Sequence, residues 1–352
     1  MIKLKLLVIF ILISGCSTDS DPDDIFLNVD GQWAQPALTE DTITVLSHSS
    51  GNIFAGTTKG LFRQSNNQSW NTLGLQDEEI IDVVIFDNQK ILAGTKLPNV
   101  ESKETSLFLT TNGGNNWTPY QQNFGGENHY NWITALSQHP ENPSIIYAKA
   151  GALTVAKSID MGESWWLVNG SWEPQFGFSV FLKIDPNDPD IIWTGGASPT
   201  FTPSLIKSSN AGNTWQRLSI YGTESNVYDI AVHPSRSSTI LAGIAGAVNP
   251  ANVIRKSTDG GRSWTTTFDQ AGVFTLARST RDGRIVYAAG TTRDGRLSFF
   301  ASGDFGDTWQ QVTLPDSPAD IQVNDMVSVT EDGREVLYLG TNKGIYSYRF
   351  EE

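Results

Sequence analysis

The sequence predicts an all-β protein, a seven-bladed β-propeller of four-stranded antiparallel blades whose ring is closed by a strand from the N-terminal end. An eight-residue pattern recurs along the chain at nearly constant spacing, and a fixed period of this size indicates stacked, similar units. The 352 residues include 32 Gly and 11 Trp but no sustained helical period of apolar residues, which favours strands over helices.

The repeated pattern reads Ser/Thr-x-Asp/Asn-x-Gly-x-x-Trp. Clear copies occupy residues 110–117, 158–165, 208–215, 257–264 and 302–309, and a degenerate copy at 63–70 has Ser65 and Asn67 at the Asp and Gly positions. A short polar side chain accepts hydrogen bonds from its own turn, Gly adopts the left-handed conformation, and Trp packs where the next strand begins. Because Asn112 and Asn210 replace Asp, the acceptor oxygen matters and the charge does not. The pattern predicts a structural hairpin turn.

The Trp residues of successive copies are separated by roughly 45–50 residues, the length of four short strands and their turns. An apolar strand opens each unit, and seven such openings lie at 43–45, 81–83, 133–135, 178–180, 228–230, 274–276 and 324–326. The seventh unit ends after a third strand at 344–349. Residues 28–34, with Trp33, are predicted to supply its missing fourth strand and to remove the open edges of the ring.

The first residues differ from the rest of the chain. Lys3 and Lys5 precede an apolar run at 6–13, which is typical of a secretory signal, and the residues Ile-Ser-Gly-Cys at 13–16 resemble the bacterial lipobox. The alternative is an ordinary signal with a chance cysteine. We predict a lipoprotein signal peptide at 1–15, lipidation of Cys16, a disordered acidic spacer at 16–25 and the propeller at 26–352. This implies a lipid-anchored protein of the bacterial cell envelope, in the outer membrane and exposed at the surface.

The chain is acidic, with a formal net charge of −14 that becomes more negative by two when Lys3 and Lys5 are removed. Such a body repels nucleic acid and anionic head groups, so no nucleic-acid partner is expected and contact with the membrane is expected through the lipid alone. No cluster of Cys and His typical of a metal site occurs, and we predict neither a protein-bound metal nor a cofactor, apart from the cation considered below.

The topology separates two faces. The repeated turns join strands three and four of each blade and define the turn face, which also holds the loops between strands one and two. The loop-rich face carries the connections between blades and the loops between strands two and three. Aromatic and polar residues interleave in two of its connections, a composition suited to stacking on sugars and bonding their hydroxyls. The candidate ligand-binding residues are Tyr120, Glu127, His129, Tyr130, Trp132, Trp166, Trp172, Glu173 and Phe176. The alternative is that these rings fill the grooves between blades.

A polar residue in each opening strand forms a second constellation, at Thr44, Asp82, Thr134, Ser179, Asp229, Thr275 and Asp325. The three acids belong to blades two, five and seven, so they are spread around the axis. Three like charges near the channel would raise one another's pKa or recruit a cation. Hydrogen bonding between neighbouring blades is the alternative, and it is the one we favour.

The repeated turn resembles the Asp-box, or BNR, repeat over nearly the whole chain. This family includes sialidases, xyloglucan hydrolases, sortilin-type receptors and lipoproteins similar to the photosystem II assembly factor, which are closest to this chain in size. The resemblance implies the fold and leaves the function open. Sialidase activity is disfavoured because Leu61-Phe62-Arg63-Gln64 lacks the expected Arg-Ile-Pro and because sialidases have six blades.

We therefore predict a non-catalytic surface lipoprotein that binds a glycan or an extracellular or periplasmic protein through the loop-rich face. The alternative is a glycoside hydrolase or polysaccharide lyase in which Asp82, Asp229 and Asp325 serve as catalytic carboxyls, and a second alternative is a membrane-complex assembly scaffold.

Overall fold

The structure is a computed structural model that describes residues 27–65, 69–96, 106–120, 133–150, 154–168, 178–198, 202–220, 225–246, 253–292 and 294–351. These residues form strands without helices, and no helix among them is available to cross a membrane.

The strands group into seven four-stranded antiparallel sheets, as the sequence predicts. Blade one contains β2 (Ile43–Ser49), β3 (Asn52–Thr57), β4 (Gly60–Gln64) and β5 (Trp70–Gly74). Blade two contains β6 (Ile80–Ile85), β7 (Ile91–Thr95), β8 (Leu107–Thr110) and β9 (Thr118–Tyr120). Blade three contains β10 (Ile133–Gln138), β11 (Ile146–Ala150), β12 (Thr154–Ser158) and β13 (Trp166–Leu167).

Blade four contains β14 (Phe178–Ile184), β15 (Ile192–Ala197), β16 (Pro203–Ser208) and β17 (Trp215–Ser219). Blade five contains β18 (Ser225–His233), β19 (Arg236–Gly246), β20 (Val253–Ser257) and β21 (Thr265–Phe268). Blade six contains β22 (Ala271–Arg278), β23 (Val286–Thr292), β24 (Leu297–Ser302) and β25 (Gln310–Thr313). Blade seven contains β26 (Val323–Glu331), β27 (Arg334–Thr341), β28 (Gly344–Phe350) and β1 (Gly31–Trp33).

The blades form a closed ring around their opening strands. Each opening strand contacts those of both neighbouring blades, and β26 of the last blade contacts β2 of the first. The second strands are packed between two blades and are buried along most of their length; all five residues of β7 and of β11 are buried. The chain is a seven-bladed β-propeller.

The N-terminal strand completes the last blade, as predicted. β1 pairs antiparallel with β28 in a register that places Trp33 opposite Tyr348. The indole of Trp33 packs edge-on against Tyr348 at 5.2 Å and against Phe299 of blade six at 5.9 Å between ring centroids. The closing strand therefore joins the sheet of blade seven and also contacts the neighbouring blade.

A β-bulge lies near the start of each opening strand, and because of it the seven polar residues predicted to be equivalent do not occupy the same position in their strands. Asp82, Asp229, Asp325 and Thr275 lie directly after the bulge, opposite Gly94, Gly243, Gly340 and Ala289. The equivalent residues in the other blades are Val45, Ala135 and Phe181. Thr44 and Thr134 are the bulge residues themselves, and Ser179 precedes the bulge. The seven polar residues therefore do not form one ring, because the bulge shifts the side chains of neighbouring positions.

Candidate functional site

The repeated turns are held by hydrogen bonds within each turn and to the same blade. In the copy at 158–165, Ser158 Oγ accepts from the Gly162 N–H at 2.8 Å and Asp160 Oδ1 accepts from the Ser164 N–H at 2.8 Å. Trp165 Nε1 donates to the Gly162 carbonyl at 3.0 Å. The N–H of Met161 donates to Ser144, in the loop between strands one and two, at 3.0 Å, which confirms that both loops share the turn face.

Asparagine makes the same bonds as aspartate in these turns. Asn210 Oδ1 accepts from the Thr214 N–H at 2.8 Å, and Asn112 Oδ1 accepts from the Asn116 N–H at 2.9 Å. His139 and His233 also serve turns, since the Nδ1 atom of His139 accepts from the backbone of Asn142 at 3.0 Å and that of His233 accepts from Ser235 at 3.2 Å. The turn face thus carries repeated structural elements.

Each of the three opening-strand aspartates bonds its own blade to the next one. Asp82 Oδ1 accepts from the Val83 N–H at 2.8 Å, and its Oδ2 accepts from the Leu136 N–H of blade three at 2.7 Å. Asp229 makes the same pair of bonds to Ile230 and to Leu276 of blade six, and Asp325 makes them to Met326 and to Leu46 of blade one. Hydrogen bonding between neighbouring blades, the alternative favoured from the sequence, is present at all three positions.

The three aspartates also share one environment at the axis. Asp325 in blade seven acts electrostatically on Asp82 in blade two and is itself affected by Asp229 in blade five, so the charges of non-adjacent blades influence one another. We call Asp82, Asp229 and Asp325 the axial carboxyls. Asp82 and Asp325 are each the third residue of their strands, which run from the loop-rich face toward the turn face. They therefore lie toward the loop-rich end of the channel.

Two axial carboxyls have raised pKa values. Burial raises the pKa of Asp82 to about 7 and outweighs the lowering by its two backbone donors, while the charge of Asp325 raises it further. Burial likewise raises the pKa of Asp325 to about 6. Both residues nevertheless keep part of their surface accessible. Each oxygen that accepts one backbone N–H retains a second lone pair for a proton or a ligand.

Sequence reasoning missed Lys183, whose ammonium joins the axial carboxyls. Its Nζ lies 2.5 Å from Asp229 Oδ1 and donates to the Ile230 carbonyl at 3.1 Å. Its charge also lowers the pKa of Asp82 and Asp325. Lys183 belongs to β14, in a blade without an axial aspartate, and no motif marks it in the sequence.

Lys149 is a second missed residue, and here the repeat does carry a signal. It is fully buried on β11, opposite Ala135, and burial lowers the pKa of its amine to about 7. The equivalent position of the other second strands is glycine in five blades and Ala289 in blade six. In blade two a Cβ on Gly94 would lie 3.1 Å from Ile133 of the next opening strand, which explains the preference for small residues. Lys149 lies at the end of β11 that faces the loop-rich side.

Most of the predicted aromatic site lies outside the described residues. The residues that are not described are Glu127, His129, Tyr130, Trp132, Trp172, Glu173 and Phe176. Tyr120 ends β9 and packs against a buried cluster that contains Leu107 and Ile133; burial raises the pKa of its hydroxyl. Trp166 on β13 is 41% exposed. Cys16 and the segments 1–15 and 16–25 are likewise outside the described residues.

Within the described ranges, no group of three or more His, Cys, Asp and Glu side chains is arranged to hold a metal ion. The cation that sequence analysis allowed in the channel stays a prediction.

Comparison with known proteins relates the chain to xyloglucan-degrading enzymes. No family model matches it. A xyloglucanase from Paenibacillus sp. is 26% identical in an alignment of 182 residues that covers 42% of this chain and 17% of that protein. The chain thus spans a small part of the length of this curated relative.

Solved structures of similar fold include the GH74 xyloglucanase of Xanthomonas campestris, with a TM-score of 0.69 and 15% identity over 90% of this chain and 53% of that one. The GH74 enzyme of Niastella koreensis has a TM-score of 0.59 and 18% identity, and the match covers 87% of this chain and 43% of that one. YCF48 from Cyanidioschyzon merolae has a TM-score of 0.62 and 14% identity, and the match covers 90% of this chain and 98% of that one. At these identities the structures establish the propeller fold alone.

The leading prediction from the sequence, a non-catalytic binding module, is wrong on these findings. The match to a xyloglucanase favours the alternative prediction of a glycoside hydrolase. That alternative already named Asp82, Asp229 and Asp325 as the catalytic carboxyls.

Proposed function

We propose that this protein is a glycoside hydrolase acting on a β-glucan of the xyloglucan class, with catalytic carboxyls at the axis. One observation carries the proposal: Asp82 and Asp325 are electrostatically coupled carboxyls with raised pKa values near the loop-rich end of the channel. A hydrolase of this kind uses one protonated carboxyl and one ionised carboxylate on either side of the glycosidic bond.

The two carboxyls are suited to different roles. Asp82, with a pKa of about 7, keeps its proton at mildly acidic pH and is the proposed general acid that protonates the leaving oxygen. Asp325, with a pKa of about 6, ionises first and is the proposed base. Asp229 is ion-paired with Lys183, and we propose that it keeps the ammonium of Lys183 beside the two other carboxyls. This assignment predicts a bell-shaped kcat/KM profile with its maximum between about pH 6 and pH 7.

The aromatic residues of the loop-rich face fit this proposal as sugar subsites. Trp172 and Tyr130 lie outside the described residues, and their assignment to these subsites rests on the sequence. Stacking of sugar rings on such side chains would hold a polysaccharide across the channel mouth. The proposal also keeps the predicted envelope location, with the chain anchored through lipid on Cys16, because polysaccharides are too large to enter cells before cleavage.

The proposal is tested by release of reducing ends from xyloglucan, mixed-linkage β-glucan and xylan. We expect turnover of xyloglucan and a loss of about 100-fold or more in Asp82→Asn and Asp325→Asn. The matched control is Asp304→Asn, which changes a carboxylate on the turn face that asparagine replaces in two other copies. Thermal melts show whether each variant is folded. Full activity in a folded Asp82→Asn protein, or no turnover of any glucan by the wild type, contradicts the proposal.

A further inference from the structure

The seam between blades four and five contains a cavity on the turn face, opposite the proposed catalytic end. It has a volume of about 330 Å³, and its lining includes Lys207, Arg262, Ser209, Ser237, Gln216 and Leu218. The hydrogen bonds within the repeated turns do not fill this cavity.

The seam between blades four and five differs in charge from the seam between blades five and six. Lys207 directly precedes the turn serine of blade four, and Lys256 holds the same position in blade five. The residue after the turn glycine is Arg262 in blade five and Asp307 in blade six. Between blades five and six, Lys256 Nζ forms a salt bridge of 2.7 Å with Asp307 Oδ2. Between blades four and five the same two positions hold two cations, so the repeat's ion pair is replaced by a like-charge pair.

Nearby carboxylates do not neutralise this pair directly. Burial is the main cause of the lowered pKa of Lys207; Arg262 lowers it as well, while Asp185 and Asp188 raise it. Asp185 Oδ1 accepts from Ser237 Oγ at 2.9 Å and from the Asn187 N–H at 2.9 Å. In the described part of the chain, no carboxylate oxygen lies within the 4.0 Å salt-bridge distance of Lys207 or Arg262.

The remaining carboxylate of the lining is also engaged. Asp259 Oδ1 accepts from the N–H groups of Arg262 and Ser263, both at 2.9 Å, and Asp259 Oδ2 accepts from Ser263 Oγ at 2.6 Å. The ammonium of Lys207 lies 4.7 Å above the ring of Trp193, which orients it without supplying a counter-ion. The cavity is therefore lined by two cations, by one carboxylate bonded within its own turn and by several hydroxyl groups, within a protein whose net charge is −14.

We propose that this cavity binds one acidic sugar unit, with its carboxylate between Lys207 and Arg262. Ser209, Ser237 and Gln216 offer hydrogen bonds to hydroxyls, and Leu218 offers an apolar surface to the ring. The volume is at the small end of ligand pockets, which fits a monosaccharide unit. The net charge of −14 disfavours polyanions such as nucleic acid, so a single anionic group is the better match. The site is independent of the proposed hydrolase activity because it lies on the other face.

Titration calorimetry of the whole protein with glucuronate tests this site. Glucose is the neutral probe, and inorganic sulfate and phosphate test whether an oxyanion alone suffices. We expect glucuronate to bind, glucose not to bind, and added salt to weaken the affinity. Arg262→Asp introduces the charge found at position 307 and should form an ion pair with Lys207; we expect at least about a tenfold loss of affinity without loss of thermal stability.

Lys207→Gln is the second test and should also weaken binding about tenfold. The control is Lys256→Gln, which removes the equivalent lysine from the adjacent seam and should leave the affinity unchanged. Undiminished binding in Arg262→Asp, or no binding of glucuronate to the wild type, overturns the proposal. Equal affinity for sulfate, phosphate and glucuronate overturns the sugar specificity and leaves a site for a simple anion.

Discussion

Asp82 couples folding of the ring to pH. Its pKa is raised from 3.8 to about 7 in the folded protein, so between these values the native state binds more protons than the unfolded state. The contribution of Asp82 to stability is therefore greatest at low pH and declines as the pH rises toward 7. We expect this decline to be absent in Asp82→Asn, measured as the difference in Tm between wild type and variant from pH 4 to pH 8. A pH-independent difference would contradict the raised pKa.

Lys149 affects the pH dependence of stability in the opposite direction to Asp82. Its pKa is lowered from 10.5 to about 7, so the native state binds fewer protons between these values and its stability rises with pH. We expect the rise in Tm of the wild type between pH 7 and pH 10 to be absent in Lys149→Met. Lys343→Met changes an exposed lysine and serves as the control. An equal rise in wild type and Lys149→Met would contradict the lowered pKa.

At the scale of one element, the repeated turn needs an acceptor oxygen rather than a charge. Asp160 Oδ1 accepts from Ser158 Oγ and from the Ser164 N–H, and asparagine makes the corresponding bonds in the copy at 208–215. We expect Asp160→Ala to lower the free energy of unfolding by about 1–3 kcal/mol, because it leaves donors of the turn without a partner. Asp160→Asn should cost much less, and denaturant unfolding compares the two. Equal costs would show that the charge itself stabilises the turn.

The turns also show where local sequence reasoning stops. Glycine at the predicted left-handed position has positive φ, for example 85° at Gly162. The residue before it is left-handed as well, although it is Met161 in one copy and Phe305, with φ of 50°, in another. The residue types do not reveal this conformation, because the hydrogen bonds of the turn impose it on side chains that disfavour it.

At the scale of the molecule, closure of the ring depends on the N-terminal strand. Trp33 packs between Tyr348 and Phe299, so its loss affects blades six and seven together. We expect Trp33→Ala to lower the free energy of unfolding by about 2 kcal/mol or more, since a large aromatic contact is removed. Trp166→Ala, at a site 41% exposed, should have a smaller effect in the same denaturant titration. A similar cost for the two variants would show that closure contributes little.

The fold was predictable from the sequence because the turn repeats and its spacing counts the blades. The return of Trp33 to the seventh blade followed from the missing strand. The site was predictable only in part. The axial aspartates were visible as acids in opening strands, but their coupling across the ring depends on contacts between blades that are far apart in sequence. No local motif marks Lys183 or the pair of Lys207 and Arg262 between blades four and five. Comparing equivalent positions of the repeat does show that Arg262 stands where blade six has Asp307.

If the axial carboxyls catalyse hydrolysis, the oxygen of each new reducing end comes from water, and isotope incorporation measures this. Xyloglucan is digested in water enriched in oxygen-18, and the products are analysed by mass spectrometry. We predict one heavy oxygen at each new reducing end with the wild-type protein, and no products with folded Asp82→Asn or Asp325→Asn. Products without heavy oxygen, or an absence of cleavage by the wild type, would contradict hydrolysis at these carboxyls.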